Sequence, residues 1–339
     1  MDTGKVPSNH CGKPKFFQHT LALRTAILAC FLALAGLAHA QAYPSRLIRI
    51  IVPLAAAGTG DTLARLVGEE MAKTLGQPVI VENRPGSGGT IGAEAVAKAP
   101  ADGYTLLLAS PALVINPLLR AKAGYDALRD FAPVTVIANT HQLLLAHPSL
   151  PAGTLLELIA YAKKNPGRLN YGSAGSGSAT HLNAELFKSM AGVSIVHIPY
   201  RGSTQARQDL LAGEVQLAVD GLLPTLALIR AGKLKALALT SSRRSAAAPE
   251  IPTMAEAGVP GYASDTWYGL VVPAATPPEA LAVLHAAAVK AIGSPEIGIQ
   301  LAKQAAEPVG NSQAAFRTLL EAERALWAKV VQDSGARVD

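Results

Sequence analysis

The sequence is poor in three kinds of residue that often carry chemistry or charge. It contains only two cysteines, Cys11 and Cys30, and both precede residue 41. Beyond that point a disulfide, a thiolate metal site and a cysteine nucleophile are excluded. Aromatic residues make up 5% and charged residues 16% of the chain, so Ala, Val, Ile and Leu must fill the core. An apolar content of 50% over 339 residues excludes a mainly disordered protein and is enough for two domains.

Clustered positive charge is also missing. The net charge of +6 is a small excess of 30 Lys and Arg over 24 Asp and Glu, and no basic run is longer than two residues. Aromatic residues do not alternate with these bases. The sequence therefore predicts no nucleic-acid partner.

The first 40 residues have the three parts of a secretory signal peptide. Four basic residues between positions 5 and 24 precede a nearly all-apolar run at 26–38, and Ala38-His39-Ala40 is a small-x-small cleavage site. We predict cleavage after Ala40 and export to the periplasm. Cleavage removes four of the 30 basic residues and one of the 24 acids, so the charge falls from +6 to +3. No later apolar run is long enough to cross a membrane, and we expect a soluble product.

Short apolar strands then alternate with helical patterns. Strands are predicted at 48–52, 79–81, 105–109, 134–138, 143–146, 169–172, 195–198, 216–220, 234–239 and 267–272. Thr154 and Glu157 form a capping box that begins a helix. A further short helix is predicted at 90–97, and the chain from Pro277 to about Val331 is predicted to be helical. This alternation predicts a mostly parallel α/β architecture with both sheet faces covered.

About ten strands fit two sheets better than one. Two extended segments, 141–148 and 265–273, are suited to carry the chain from one domain to the other and back. We therefore predict a discontinuous domain 1 (41–143 with 265–339) and a domain 2 (144–264).

Four loops rich in Gly, Ser and Thr each follow a predicted strand, at 53–61, 82–90, 171–181 and 199–204. Small residues let the backbone approach a ligand, and the next helix presents free N–H groups that favour carboxylate or phosphate. One such loop is no more than an ordinary α/β turn requires. Their recurrence indicates a site for an organic anion.

Motifs of catalysis and cofactor binding are missing. Gly58-Thr59-Gly60 lacks the third glycine of a dinucleotide fingerprint, and no ATPase-type phosphate loop or Gly-x-Ser-x-Gly elbow occurs. The histidines do not have zinc-site spacing. We expect no cofactor, no metal and no catalytic residue. A serine hydrolase that uses Ser176 with His181 in the 172–181 loop is the alternative, because a triad can assemble from distant positions.

Individual side chains near these loops have two interpretations each. His181 either donates to a ligand oxygen or makes a local hydrogen bond at a helix start. Asp61 is better explained as a helix N-terminal cap than as a ligand contact. Asp220 ends an apolar strand, where it either faces a cleft or begins a turn. Arg201 is the best-placed cation, although most arginines are solvated.

An ordered series of segments carries a family resemblance: 50–53, 76–79, 82–86, 97–106, 116–117, 171–175, 199–202, 256–262 and 267–270. Through them the chain resembles the extracytoplasmic solute receptors of the tripartite tricarboxylate transporter system, often called Bug proteins. The resemblance implies a type II periplasmic-binding-protein fold, in which two α/β domains joined by two chain crossings close over a ligand in the cleft between them.

The resemblance also implies a site built largely from backbone groups and ordered waters. Carried over by position, the ligand-binding residues are Ala56, Ala57, Gly58, Thr59, Asp61, Ser110, Ser173, Ala174, Gly175, Ser176, His181, Tyr200 and Asp220. The implied partners are a small carboxylate ligand and membrane subunits of a tripartite tricarboxylate transporter, and we expect a monomer. A sensor that feeds a signalling partner instead of transport is a second alternative.

The first loop departs from the family pattern. Leu54 replaces a usual aromatic residue, Ala57-Gly58 replaces a Gly-Gly pair, and Gly60 replaces a larger residue. If Ala57 takes a positive φ angle, its Cβ costs roughly 1 kcal/mol or more. We expect the ligand contacts of this loop to differ from those of the family.

Overall fold

The structure is a computed structural model that describes residues 43–54, 56, 58–120 and 123–334, together with Met1, Asp2 and Gly4. The chain divides into two units, Met1–Ser45 and Arg46–Asp339, and the account below concerns the second. The predicted leader, 1–40, lies outside the described residues apart from the three named above, and so does Ala57.

Strands and helices alternate through the second unit. The strands are β1 (Ile48–Val52), β2 (Val79–Asn83), β3 (Thr105–Ala109), β4 (Phe131–Thr140), β5 (Gln142–Ala146), β6 (Asn170–Ser173), β7 (Val196–Pro199), β8 (Leu217–Gly221), β9 (Lys235–Leu239), β10 (Thr266–Pro273) and β11 (Ala306–Pro308). The helices are α1 (Thr59–Leu75), α2 (Thr90–Ala97), α3 (Ala112–Leu119), α4 (Leu155–Lys164), α5 (Ala179–Ala191), α6 (Ser203–Ala212), α7 (Leu222–Arg230), α8 (Pro278–Ile292), α9 (Pro295–Lys303) and α10 (Gln313–Ser334). A short 3-10 turn at Ser87–Gly89 precedes α2.

The strands form two mixed sheets, as expected for an α/β protein with two sheets. The first sheet has the order β11-β4-β10-β3-β1-β2, and the second has the order β7-β6-β8-β5-β9. The prediction of mostly parallel strands was wrong, because β10 runs antiparallel to β3 and β4, and β5 runs antiparallel to β8 and β9. Both β5 and β10 begin where the chain enters their sheet from the other one. The neighbouring strands end near the same crossing, so β5 and β10 are antiparallel to them.

The chain crosses between the sheets at one residue and returns through a longer segment. His141 separates β4 from β5, and its ring nitrogens bond to Ser241 Oγ (3.0 Å) and Glu307 Oε1 (3.1 Å). At the return, Thr140 Oγ1 donates to the carbonyl oxygen of Thr266 (3.2 Å). Each crossing is thus tied by hydrogen bonds to residues of the other. The domain boundaries at 143/144 and 264/265 stay a prediction, since both sheets lie within the one unit that starts at Arg46.

Alternate residues of a strand serve different parts of the core. Ile51 and Leu107 pack with α2, α3 and α10, whereas Ile50 lies next to Gly68 of α1. In the second sheet Leu144 packs toward α4 and α5, and Leu143 packs toward α6 and α7. This period of two places helices on both faces of each sheet.

Helices α3 and α10 contribute to the cores of both sheets. In α3, Leu113 belongs to the first-sheet core and Leu119 to the second-sheet core. In α10, Phe316 belongs to the first-sheet core and Trp327 to the second-sheet core. These two helices therefore join the sheets by apolar packing as well as by the chain crossings.

Several local predictions are confirmed and one is wrong. β1, β3 and α2 have the predicted bounds. The capping box is present, because Thr154 Oγ1 accepts from the Glu157 N–H (3.2 Å) and Glu157 Oε2 accepts from the Thr154 N–H (3.3 Å). The segment from Pro277 to about Val331, predicted to be helical, contains α8, α9 and α10, and the prediction is wrong at β11, a short strand between the last two helices. Ser294 caps α9 at Pro295, which cannot continue a helix because it has no N–H. Among the described helices none alone is long and apolar enough to cross a membrane, and α8 with α9 meets that test only as a pair bent by 68°.

Replacing Gly269 by alanine is expected to destabilise the protein. A Cβ at this position in β10 would stand 2.6 Å from Phe316 Cζ and 3.0 Å from the Thr135 carbonyl oxygen. Overpacking costs about 1–3 kcal/mol, so the free energy of unfolding in urea should fall by that amount. Gly298→Ala in α9 is the control, because its Cβ would meet no atom within 4 Å; it should raise stability by about 0.5–1 kcal/mol. Equal effects of the two substitutions would contradict the packing at Gly269.

Candidate functional site

Loops from the carboxyl ends of both sheets come together. The Ser87–Gly89 turn follows β2 in the first sheet, and residues 174–178 follow β6 in the second. A Cβ on Gly177 would stand 2.9 Å from Asn116 Oδ1, and a Cβ on Gly88 would stand 3.6 Å from the Ser176 carbonyl oxygen. Both glycines have positive φ angles, +80° and +65°. Glycine is therefore required there for backbone conformation and for close approach, and the two loops form opposite walls of one cleft.

The first-sheet helices that follow these strand ends begin without side-chain caps. The N-cap residues of α1, α2 and α3 are Gly58, Gly89 and Pro111, and none of them makes a side-chain cap bond. Among the described residues the first backbone hydrogen bond of α1 runs from the Thr62 N–H to the Gly58 oxygen (3.0 Å), and the N–H groups of Thr59 and Gly60 have no helical partner there. In α2 and α3 backbone carbonyl oxygens already accept from the first turn, Ser87 from the Thr90 N–H and Ser110 from the Leu113 N–H, so α1 has the N-terminus best suited to an anion.

The other first-sheet candidates lie near these termini. Ala56 is an exposed turn residue just ahead of α1. Ser110 follows β3, and its carbonyl oxygen accepts from the Leu113 N–H (2.9 Å) at the start of α3. Ala57 lies outside the described residues, so its predicted strain stays a prediction.

A cavity of about 280 Å³, counted with its open mouth, lies at these strand ends and reaches Leu54, Ser110 and Asn116. Leu54 and Gly60 complement each other, because a Cβ on Gly60 would stand 2.7 Å from Leu54 Cδ1. Leu54 and Gly60, two of the departures from the family pattern, therefore depend on each other for packing. Asn116 Oδ1 and the Tyr125 hydroxyl, which also lines the cavity, are buried close to each other, and neither makes a hydrogen bond of normal geometry among the described residues. Such atoms favour a guest that offers hydrogen-bonding groups.

The Asp61 carboxylate supports the first loop through a hydrogen-bond network. Its carboxylate accepts from Arg65 Nε (3.1 Å) and from Asn83 Nδ2 (2.9 Å), and the same Asn83 amide donates to the Leu54 carbonyl oxygen (3.2 Å). The prediction that Asp61 caps the helix was wrong, because Gly58 is the N-cap and Asp61 lies inside the first turn. Asn83, at the end of β2, donates to the Asp61 carboxylate and to the Leu54 carbonyl oxygen, so these bonds tie the first loop to the neighbouring strand.

The second-sheet loop bonds mainly to itself. The Ala174 N–H donates to Thr180 Oγ1 (2.8 Å), the Gly175 N–H to Ser173 Oγ (3.1 Å) and the Gly177 N–H to His181 Nδ1 (3.2 Å). His181 therefore makes the local hydrogen bond, one of its two predicted roles. Ser178 caps α5 by accepting from the His181 N–H (3.2 Å).

A stack of three rings lies behind this loop, with Tyr171 and His181 buried and His197 half-buried. The rings of Tyr171 and His197 are 4.8 Å apart, and those of His197 and His181 are 4.2 Å apart. Glu185 accepts from the Tyr171 hydroxyl (2.6 Å) and from Lys188 (2.6 Å). Burial, and then the nearby His181, lower the pKa of His197 to about 4, and burial lowers the pKa of His181 as well. Both imidazoles are neutral at neutral pH.

Tyr200 and Asp220 are both engaged by residues of α6. The Tyr200 hydroxyl donates to Asp209 (2.7 Å), and burial together with this bond raises its pKa to about 12. Asp220 is 3% exposed and accepts from Arg207 Nε and from the Gly221 N–H, both at 2.7 Å. Burial raises the pKa of this carboxyl. Arg201, the cation favoured from the sequence, has an exposed side chain.

The closest Ser–His pair is not the one predicted. Ser173 Oγ lies 2.6 Å from His197 Nε2, whereas His181 Nδ1 accepts from the loop backbone. Ser173 is 0% exposed and also accepts from the Gly175 N–H, so its hydroxyl is closed to a substrate. Among the described residues no group of three or more His, Cys, Asp and Glu side chains is arranged for a metal ion.

Sequence reasoning missed Gly88, Asn116 and His197. Gly88 lies in a loop that the pattern favoured, and Asn116 lies in a segment of the family resemblance. The sequence did not indicate which loops would meet across the cleft. His197 occurs in a predicted strand, but nothing local indicated a bond to Ser173, 24 residues earlier.

The chain is similar to proteins of one family. A family model described as the tripartite tricarboxylate transporter family receptor matches residues 63–336. Protein BugT of Bordetella pertussis is 38% identical over 318 residues, which cover 92% of this chain and 98% of BugT. The structure of Rpa4515 from R. palustris with adipate is 39% identical with a TM-score of 0.79, and covers 87% of this chain and 100% of that one. MatC from Rhodopseudomonas palustris with bound malate is 34% identical with a TM-score of 0.75, and covers 85% and 100%.

Acid is expected to destabilise the protein through His197. The unfolded histidine takes up a proton near pH 6.5, whereas the folded one has a pKa of about 4. Between these values the unfolded state binds the extra proton, so the free energy of unfolding falls as the pH falls and this contribution is complete above about pH 6.5. His197→Gln cannot be protonated. In thermal unfolding from about pH 7 to pH 4 it should lose less stability than the wild type.

The difference between the two proteins isolates His197. Tyr171, His181, Glu185 and Lys188, the titratable neighbours that face it, are present in both. Parallel stability curves for the wild type and His197→Gln would overturn the lowered pKa.

Proposed function

The chain belongs to the tripartite tricarboxylate transporter receptor family, and on this premise we propose that it captures a small organic carboxylate by closing the loops of its two sheets over it. Members of this family are periplasmic solute-binding receptors. The ligand is released unchanged, so the protein is a receptor without catalytic turnover.

The observation that carries the proposal is the meeting of two kinds of loop at one cleft. One wall has helix N-termini with no side-chain caps, and the other is the glycine-rich 174–178 loop. Backbone N–H groups at such termini bind a carboxylate without a paired cation. The solved relatives with adipate and malate support this ligand class.

Binding without turnover agrees with the chemistry at the cleft. The serine that contacts a histidine, Ser173, is buried and occupied on both sides by hydrogen bonds. A hydrolase needs its nucleophile within reach of the substrate. Ser176 is exposed, but it makes no hydrogen bond to a histidine among the described contacts.

Export and delivery complete the proposed function. The leader at 1–40 carries the chain to the periplasm and is removed after Ala40. The closed, loaded receptor then delivers its carboxylate to the membrane subunits of a tripartite tricarboxylate transporter. The family description supports this partner.

A thermal-shift panel of acids tests the ligand class. The protein lacking residues 1–40 is heated with adipate, malate, succinate, citrate, aspartate, benzoate and terephthalate. An acid at 100 times its dissociation constant adds about 2.7 kcal/mol, which raises the midpoint by roughly 5–10 °C. Uncharged amides of the same acids are the control and should cause no shift. A protein that responds to the amides as strongly as to the acids would not be an anion receptor.

Gly177→Ala is expected to weaken acid binding. The added Cβ would stand 2.9 Å from Asn116 Oδ1 and would hold the two walls apart. A clash of about 1.4 kcal/mol corresponds to a tenfold loss of affinity by calorimetry. Gly192→Ala is the matched control, because Gly192 also has a positive φ (+62°) but no atom lies within 4 Å of its Cβ position. If both variants bind the acid alike, the walls do not meet around the ligand.

A further inference from the structure

His197 is held in one orientation by its neighbours. β6 and β7 pair in parallel with Tyr171 opposite His197, so both side chains lie on the same face of the sheet. Tyr171 stacks on one side of the imidazole at 19° between planes, and His181 of α5 stacks at 29°. The ring therefore has little freedom to turn, and its Nε2 stays directed at Ser173 Oγ, 2.6 Å away.

Ser173 connects the fixed His197 ring to the 174–178 loop through hydrogen bonds. Its hydroxyl oxygen accepts from the Gly175 N–H (3.1 Å), so its own hydrogen is available to a neutral His197 Nε2. Because Ser173 is fully buried, a hydroxyl without a partner there would be costly. The N–H groups of Gly175 and Gly177 thus point into the loop and are bonded. That of Ser176, between them, makes no hydrogen bond among the described residues.

We propose that His197 is a positioning residue for carboxylate binding: through Ser173 it holds the 173–178 loop in the shape that leaves the Ser176 N–H open to the ligand. This inference rests on the proposed receptor function. His197 does not touch the ligand. It acts by keeping Gly175 turned inward, which keeps Ser176 available to the cleft.

Substitutions at His197 separate hydrogen bonding from ring packing. His197→Phe keeps an aromatic ring in the stack and removes the acceptor. His197→Gln removes the ring and restores an amide oxygen at about the reach of Nε2. Ser173→Ala removes the other partner of the bond. His147→Phe is the matched control, since His147 bonds Ser149 Oγ in the same way (2.7 Å) but lies at the far end of β5 from the crossing.

The dissociation constant of adipate, or of whichever acid in the panel binds most tightly, is measured by calorimetry for each variant. His197→Phe and Ser173→Ala should each weaken binding about tenfold, the effect of roughly one buried hydrogen bond. The double variant should be no weaker than either single one, because both remove the same link. His197→Gln should recover most of the affinity, and His147→Phe should match the wild type.

Amide hydrogen exchange of Gly175 and Gly177 provides a readout that does not need a ligand. Exchange should be faster in His197→Phe and close to wild type in His197→Gln, while the unfolding midpoint shows that each variant is folded. Faster exchange with unchanged affinity would overturn the proposal and leave the receptor function standing. Weak binding by both His197 variants would assign the effect to ring packing and overturn it as well. If the wild type binds no acid, the proposed receptor function is wrong. If amide exchange of Gly175 and Gly177 is also unchanged in His197→Phe, His197 does not order the loop.

Discussion

Helices α3 and α10 each bury side chains in the cores of both sheets, and the cleft depends on this shared packing. Leu113 and Leu119 lie less than two turns apart in α3, yet they belong to different cores. The N-terminus of α3 also opens at the strand ends where ligands bind in α/β proteins. A shift of one sheet relative to the other must therefore repack α3 and α10. The loops after β2 and β6 are brought together by this packing, and of its side chains Leu113 also lines the cavity.

The walls of the cleft are built mainly from backbone groups. The first-sheet wall has uncapped helix starts, and the second-sheet wall is a loop whose N–H groups are largely bonded within it. The buried carboxylates nearby, Asp61 and Asp220, are each paired with an arginine. Recognition of an anion by N–H dipoles makes little demand on side-chain identity. The proposed receptor function therefore needs no catalytic motif in the sequence.

Half-buried polar side chains support these walls from the side away from the cleft. Asn83 joins the Leu54 carbonyl to Asp61 on one side of the cleft, and His197 joins Ser173 to the ring stack on the other. Each support joins the loop to a neighbouring parallel strand. A loop rich in glycine has many conformations available, and a hydrogen bond to a rigid strand selects one of them.

The sequence alone determined what depends on neighbours along the chain. The bounds of β1 and β3, the capping box at Thr154 and the glycine-rich loops follow from hydrophobic period and local hydrogen bonding. Its family resemblance supplied the fold and the proposed ligand class. Tertiary structure decided the antiparallel entry of β5 and β10, the turn of Asp61 toward Asn83 and the bond between Ser173 and His197. Those features pair residues far apart in the chain, and which partners meet depends on the packing of whole sheets, which no local pattern encodes.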